Sequence, residues 1–131
     1  MGFVDKTSEM THILVVSEPK ESLKWYKKVL GASVHSEFDT GAVIKVMGNW
    51  FLITKGGNPT KDKPETRLAP PTDYNTVNSL FTIRVQDCAG TYEQLTNLGA
   101  IFLTPPITNG REIRCFFSDP DNHLFEISEA S

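Results

Sequence analysis

The stretch HILVVSEPKESLKWYKKVLGA, residues 12–32, decides how the rest of the chain is read. HILVV is apolar and β-branched, the composition of a strand. Behind it, Ser17 or Glu18 can serve as an N-cap, and Pro19 suits the first helical position, where its missing N–H costs nothing. Leu23, Tyr26, Val29 and Leu30 then recur at three- and four-residue spacing, while Lys20, Lys24, Lys27 and Lys28 fall largely off that face. This is a helix with one buried stripe, and Gly31 closes it as a C-cap. SVHSEF, AVIKVM and WFLIT follow as strand-like runs separated by the turn signals Asp39-Thr40-Gly41 and Gly48-Asn49. Residues of about 10–55 therefore form a β-α-β-β-β unit.

The second half repeats this order. LFTIRV (residues 80–85) is a strand, and Asp87 caps a helix striped by Tyr92, Leu95 and Leu98 and closed at Gly99-Ala100, as Gly31-Ala32 closes the first. Strands are expected at residues 101–103, 112–118 and 123–128. Glu18 and Asp87 stand 69 positions apart and Gly31 and Gly99 stand 68 apart, so the halves keep phase as a duplicated module. The fold class is α+β, with a second module over about residues 79–129. Residues 56–78, with four prolines and no periodicity, are a flap over a ligand or a disordered linker. One sheet face per module stays uncovered, so the modules must pack together or against a partner chain, and a homodimer is expected.

Composition narrows the function. Thirteen basic against sixteen acidic residues leave a net charge of −3, which offers nucleic acid no basic field. No apolar run approaches the ~20 residues that cross a bilayer, and the N-terminus lacks a secretory pattern, so a cytoplasmic protein is expected. Cys88 and Cys115 stand alone, without CxxC or Cys/His spacing, which signals neither a disulfide framework nor a zinc site. No Ser-His-Asp order, phosphate-binding glycine loop or nucleotide fingerprint is present.

The closing stretch DPDNHLFEI, residues 119–127, joins a tight acidic turn to a strand that carries Glu126 between Phe125 and Ile127. The charge faces solvent or points into a cavity. Together with the duplicated modules and the helix SLKWYKKVLG, this stretch resembles the vicinal oxygen chelate superfamily of glyoxalase I, bleomycin-resistance proteins, fosfomycin-modifying enzymes and extradiol dioxygenases. The resemblance runs from about Met10 to Glu129. It implies that the modules curl into a mixed-sheet cup with one helix per module outside and a ligand within. It also implies a divalent metal held by residues on the first and last strand of each module.

On that resemblance Glu126 takes the last ligand position and is the candidate catalytic residue. The other positions fall on Thr11, on Leu80 and on Leu52 or Ile53, none of them a metal donor of family type. His12 is one place out of phase with Thr11 and joins Glu126 only if a bulge turns it inward. A degenerate metal site follows, with no cofactor expected and a divalent metal still possible through His12 and Glu126. The inward phase at Leu80 continues through Thr82 to Arg84, which can grip an anion through paired N–H groups. Trp50 can stack a flat ligand at the rim. If Cys115 and Phe117 face inward, Arg114 faces out. The expected ligand-binding set is thus Thr11, Trp50, Thr82, Arg84, Cys115 and Phe117. The expected function is small-molecule binding of the bleomycin-resistance type, with a partly aromatic or anionic ligand. The alternative is a metal-dependent lyase, isomerase or dioxygenase of the same superfamily.

Overall fold

The computed structural model describes residues 5–130. In the first module the order is β1 (Thr11–Val16), α1 (Pro19–Leu30), β2 (Ser33–Phe38), β3 (Gly41–Val46) and β4 (Asn49–Lys55). In the second it is β5 (Phe81–Arg84), α2 (Cys88–Asn97), β6 (Ile101–Phe102), β7 (Ile107–Asn109), β8 (Glu112–Ser118) and β9 (Leu124–Ala130). The strands form two separate mixed sheets, β1-β4-β3-β2 and β5-β9-β8-β6, with β7 also on β8. In each, the first strand lies parallel to the last and the other pairings are antiparallel.

Local chemistry explains the elements and their edges. Gly31 turns left-handed at φ 66° and ends α1 without a Cβ clash. The β3–β4 hairpin turns on Met47 and Gly48, at φ 50° and 80°, one residue earlier than Gly48-Asn49 suggested. That choice fixes the register opposing Thr11 to Trp50 and Ile13 to Leu52. β6 and β7 are two pieces of one broken strand along β8, and β7 had no separate signal in the sequence. The break contains Pro105 and Pro106, which have no N–H to give a ladder. Residues 56–78 fold back on themselves through bridges between Gly57 and Leu68 and between Thr60 and Lys63.

Alternation sorts every strand into a helix side and an open side. Leu14, Val16, Ile44, Val46, Phe51 and Ile53 of the first sheet, and Cys115, Phe117, Phe125 and Ile127 of the second, share one buried cluster with Leu23, Tyr26 and Val29 of α1. Each large side chain in such a core contributes about 1.5–3 kcal/mol relative to exposure. α1 does not stay on its own sheet. Trp25 packs within 6.3 Å of the Phe117 and Phe125 rings, and Tyr26 lies between Phe51 and Phe125.

The acidic turn locks the modules together. Tyr26 donates its hydroxyl to Asp119 at 2.6 Å, and both groups are buried. Asp119 also accepts from the N–H groups of Asp121 and His123, which shapes the turn. Asp121 accepts from the Ser17 hydroxyl at 2.7 Å and from its N–H. The His123 ring meets the Val15 carbonyl at 2.8 Å, on the outer edge of β1. Burial pushes the Asp119 carboxyl above its ordinary range, against the hydrogen bonds that favour its charge. Burial and the adjacent carboxylate push the Tyr26 hydroxyl well above its own. Among the described residues no helix is long and apolar enough to cross a membrane.

Candidate functional site

The open face of the second sheet carries a connected polar group. Thr82 stands opposite Glu126 and Arg84 opposite Ser128 on β5 and β9, while Phe116 and Arg114 of β8 oppose the same two β9 residues. Thr82 donates its hydroxyl to Glu126 Oε1 at 2.5 Å. Arg114 Nη1 lies 3.9 Å from Glu126 Oε2 and 3.3 Å from Glu112 Oε1. Ser128, fully buried, donates to Glu112 Oε2 at 2.5 Å and accepts from Arg84 Nη1 at 3.1 Å. The Ser128 hydroxyl, reinforced by Arg114 and Arg84, holds the Glu112 carboxyl below its ordinary range. Glu126 therefore interrupts an apolar run because it belongs to this open face. Its side chain keeps only 14% of its surface exposed beneath Arg114 and Thr82.

Beside this group lies a cleft of about 610 Å³ at the seam between the modules, lined among others by Met10, His12, Trp50, Phe51, Phe81, Thr82 and Arg84. Its walls are largely aromatic and aliphatic, and among the described residues Arg84 is the one arginine or lysine that lines it. The Arg84 side chain is 60% exposed, and both of its contacts use Nη1, so the other guanidinium nitrogens can meet an incoming acceptor. Trp50 is held from outside the cleft: its Nε1–H donates to Glu9 at 2.8 Å, Lys45 lies 4.5 Å above the ring, and His35 meets it edge-on.

Three of the residues expected from sequence, Trp50, Thr82 and Arg84, thus line one cleft. Thr11 neighbours Trp50 on the open face without lining it. Cys115 and Phe117 must be corrected. They point to the helix side, are 1% and 0% exposed, and can reach no ligand on the Glu126 face. The same alternation turns Arg114 to the open face, the reverse of the expected arrangement. Burial also pushes the Cys115 thiol up to about 12, which leaves it no thiolate for chemistry. His12 is corrected as a partner for Glu126: its ring packs edge-on against Phe81 at 4.7 Å and near Phe51, on the helix side. Glu112 and Ser128 were missed. Their signal was phase alone, since each lies an even number of places from Arg114 or Glu126 along its strand.

The chain thus folds as two modules, with a connected polar group on the open face of the second sheet and a cleft beside it. The sequence profile of the Glyoxalase/Bleomycin resistance protein/Dioxygenase superfamily matches residues 9–127, and the chain belongs to that superfamily. Among its relatives is the metallothiol transferase FosB of Lysinibacillus sphaericus, 28% identical over 119 residues that cover 89% of this chain and 79% of that protein. The glutathione transferase FosA of Serratia marcescens is 22% identical over 118 residues, 90% of this chain and 77% of that protein. Among solved structures, a glyoxalase/bleomycin resistance protein/dioxygenase from Nocardioides superposes with a TM-score of 0.76 at 17% identity, covering 97% of this chain and 85% of that one. The fosfomycin resistance protein FosX of Listeria monocytogenes, in complex with Mn(II) and sulfate, gives 0.64 at 17% identity, covering 98% and 93%.

The donors around Glu126 do not suit a divalent metal. A metal of this kind needs several oxygen or nitrogen ligands converging on one point. Glu126 instead meets a hydroxyl and a guanidinium. Thr11 is exposed at the start of β1, Leu80 is exposed just before β5 and has no donor, Leu52 has no donor, and Ile53 is fully buried on the helix side. Among the described residues no three His, Cys, Asp or Glu side chains gather where they could share an ion.

Proposed function

We propose that the chain is a cytoplasmic small-molecule binding protein that takes a partly aromatic anion, without a metal, in the cleft between Trp50 and Arg84. The observation that carries this reading is the cleft itself, whose described lining combines Trp50, Phe51 and Phe81 with one partly exposed guanidinium, Arg84. Aromatic walls offer stacking area, and a planar guanidinium in a half-dry site gives an anion charge-assisted, oriented hydrogen bonds. The test is a fluorescence titration with anilinonaphthalene sulfonate in the presence of EDTA. Saturable binding is expected, weakened roughly tenfold in Arg84→Gln, since a hydrogen bond to a charged group contributes ~1.5–3 kcal/mol. Signal that does not saturate, or that Arg84→Gln leaves unchanged, removes the reading.

The 28% identity to a metallothiol transferase favours a second reading, a metal-dependent transferase that uses Glu126. Thiol consumption with fosfomycin that requires Mn(II) and is lost in Glu126→Gln would establish it. We further propose a homodimer. Ile13, Leu52 and Val43 form a contiguous apolar row across the open face of the first sheet, and Phe38 lies two residues along β2 from Ser36, which opposes Val43. Ile13 is 51% and Phe38 44% exposed.

A further inference from the structure

We infer that Arg114 is the positive charge that this open face carries in place of a divalent cation, and that it keeps Glu126 and Glu112 from recruiting one. The inference rests on the metal-independent reading above and extends it to a residue outside the cleft.

Two carboxylates converge on one guanidinium atom: Arg114 Nη1 lies 3.3 Å from Glu112 Oε1 and 3.9 Å from Glu126 Oε2. Their outer oxygens are taken as well, Glu126 Oε1 by Thr82 and Glu112 Oε2 by Ser128, with Arg84 at 3.7 Å. Every carboxylate oxygen in the group is therefore partnered, and two arginines balance two glutamates. A carboxylate as little exposed as Glu126 needs such compensation, because it has given up much of its water. A superfamily neighbour places Mn(II) in its own structure, whereas this chain places an arginine against the glutamate that resembles the superfamily's ligand. The Arg114 guanidinium also lies 5.8 Å from the Phe116 ring centroid, a contact that restrains it over the sheet. A metal ion approaching Glu126 Oε2 would have to displace Arg114, and one approaching Glu112 Oε2 would meet Arg84.

Removing the charge while keeping the stem should therefore create a cation site. Mn(II) binding is measured by the electron paramagnetic resonance of free Mn(II) on the full chain and on four variants. Arg114→Met and Arg114→Gln remove the charge, Arg114→Lys keeps it, and Arg114→Met/Glu126→Gln removes the ligand too. Wild type and Arg114→Lys are expected to show no saturable site below millimolar Mn(II). Arg114→Met or Arg114→Gln should bind one equivalent roughly tenfold tighter or better, because a unit charge a few ångströms away changes a cation's affinity by at least that much. The double variant should lose the gain. Circular dichroism confirms that each variant is folded, and either neutral variant suffices.

One equivalent of Mn(II) bound tightly by wild type overturns the inference. So does the absence of a gain in the folded neutral variants, or a gain that persists without Glu126. Failure of the aromatic anion to bind would leave these Mn(II) results intact and would count against the cleft reading alone.

Discussion

Tyr26→Phe tests how the two modules are held together. It removes one oxygen and keeps the ring that packs between Phe51 and Phe125, so no cavity confuses the result. The deleted hydroxyl donates at 2.6 Å to Asp119, which is 4% exposed. A hydrogen bond to a charged group contributes about 1.5–3 kcal/mol, and the buried carboxylate oxygen left behind has no water to replace it. A loss in that range corresponds to a roughly ten- to hundredfold larger unfolding constant, readable in a urea melt. Asp119→Ala should cost more, about 3–5 kcal/mol, since it also strands the Tyr26 hydroxyl and two turn N–H groups.

The pH dependence carries its own sign. Burial raises the folded Asp119 pKa above its ordinary 3.8. Stability from this group is therefore full below that value and is lost as pH rises through the folded pKa. The Tyr26 hydroxyl opposes the rise by favouring the carboxylate, so Tyr26→Phe should cost more near neutral pH than at about pH 4. A penalty under about 0.5 kcal/mol, or one independent of pH, would refute this account of the clamp. An Asp119→Ala melt that splits into two transitions would show instead that the clamp is what makes the modules unfold together.

Three further outcomes are expected. Glu126→Gln keeps its shape on the open face and should cost within about 1 kcal/mol, whereas Ile127→Ala, one place along and fully buried, should cost about 2–5 kcal/mol in the same melt. Burial, aided by His123, holds the His12 imidazole below its ordinary 6.5, so the fold favours the neutral ring. Stability should then decline as pH falls below about that value, and the slope should flatten in His12→Phe. Leu52→Lys places a charge at the centre of the apolar row between Ile13 and Val43. Light scattering should report a dimer for wild type and a monomer for the variant; a monomeric wild type at high micromolar concentration removes the homodimer.

Most of the fold was legible because it rests on local signals: a capped helix with a three-and-four stripe, turn residues between β-branched runs, and their recurrence 68–69 positions later. The site was legible only in part, because period-two alternation fixes which residues share a face but not which face is open. The sequence set Thr82 and Arg84 in phase, and pairing with β9 adds Glu126 and Ser128. On β8 the same rule offered Cys115 with Phe117 or Glu112 with Arg114, and nothing local chose between them. The choice was made by α1, whose Trp25 ring packs near Phe117 and so claims that side of β8 for the core.

The acidic turn shows how a strong sequence motif can be committed to holding the fold. DPDN is the most conspicuous polar cluster in the chain, yet Asp119 and Asp121 spend their oxygens on Tyr26, Ser17 and the turn's own N–H groups. Their work is to hold the start of β9 against the end of β1 and the middle of α1. That anchoring has a consequence seven residues further on. With Asp119 fixed, the ladder between β8 and β9 sets Phe125 inward and Glu126 outward, so a slip of one residue would bury the glutamate and expose Phe125 and Ile127. The clamp makes such a slip incompatible with both the core and the Tyr26 hydrogen bond. Glu126 therefore owes its position beneath Arg114 to two carboxylates whose hydrogen bonds are made within the fold.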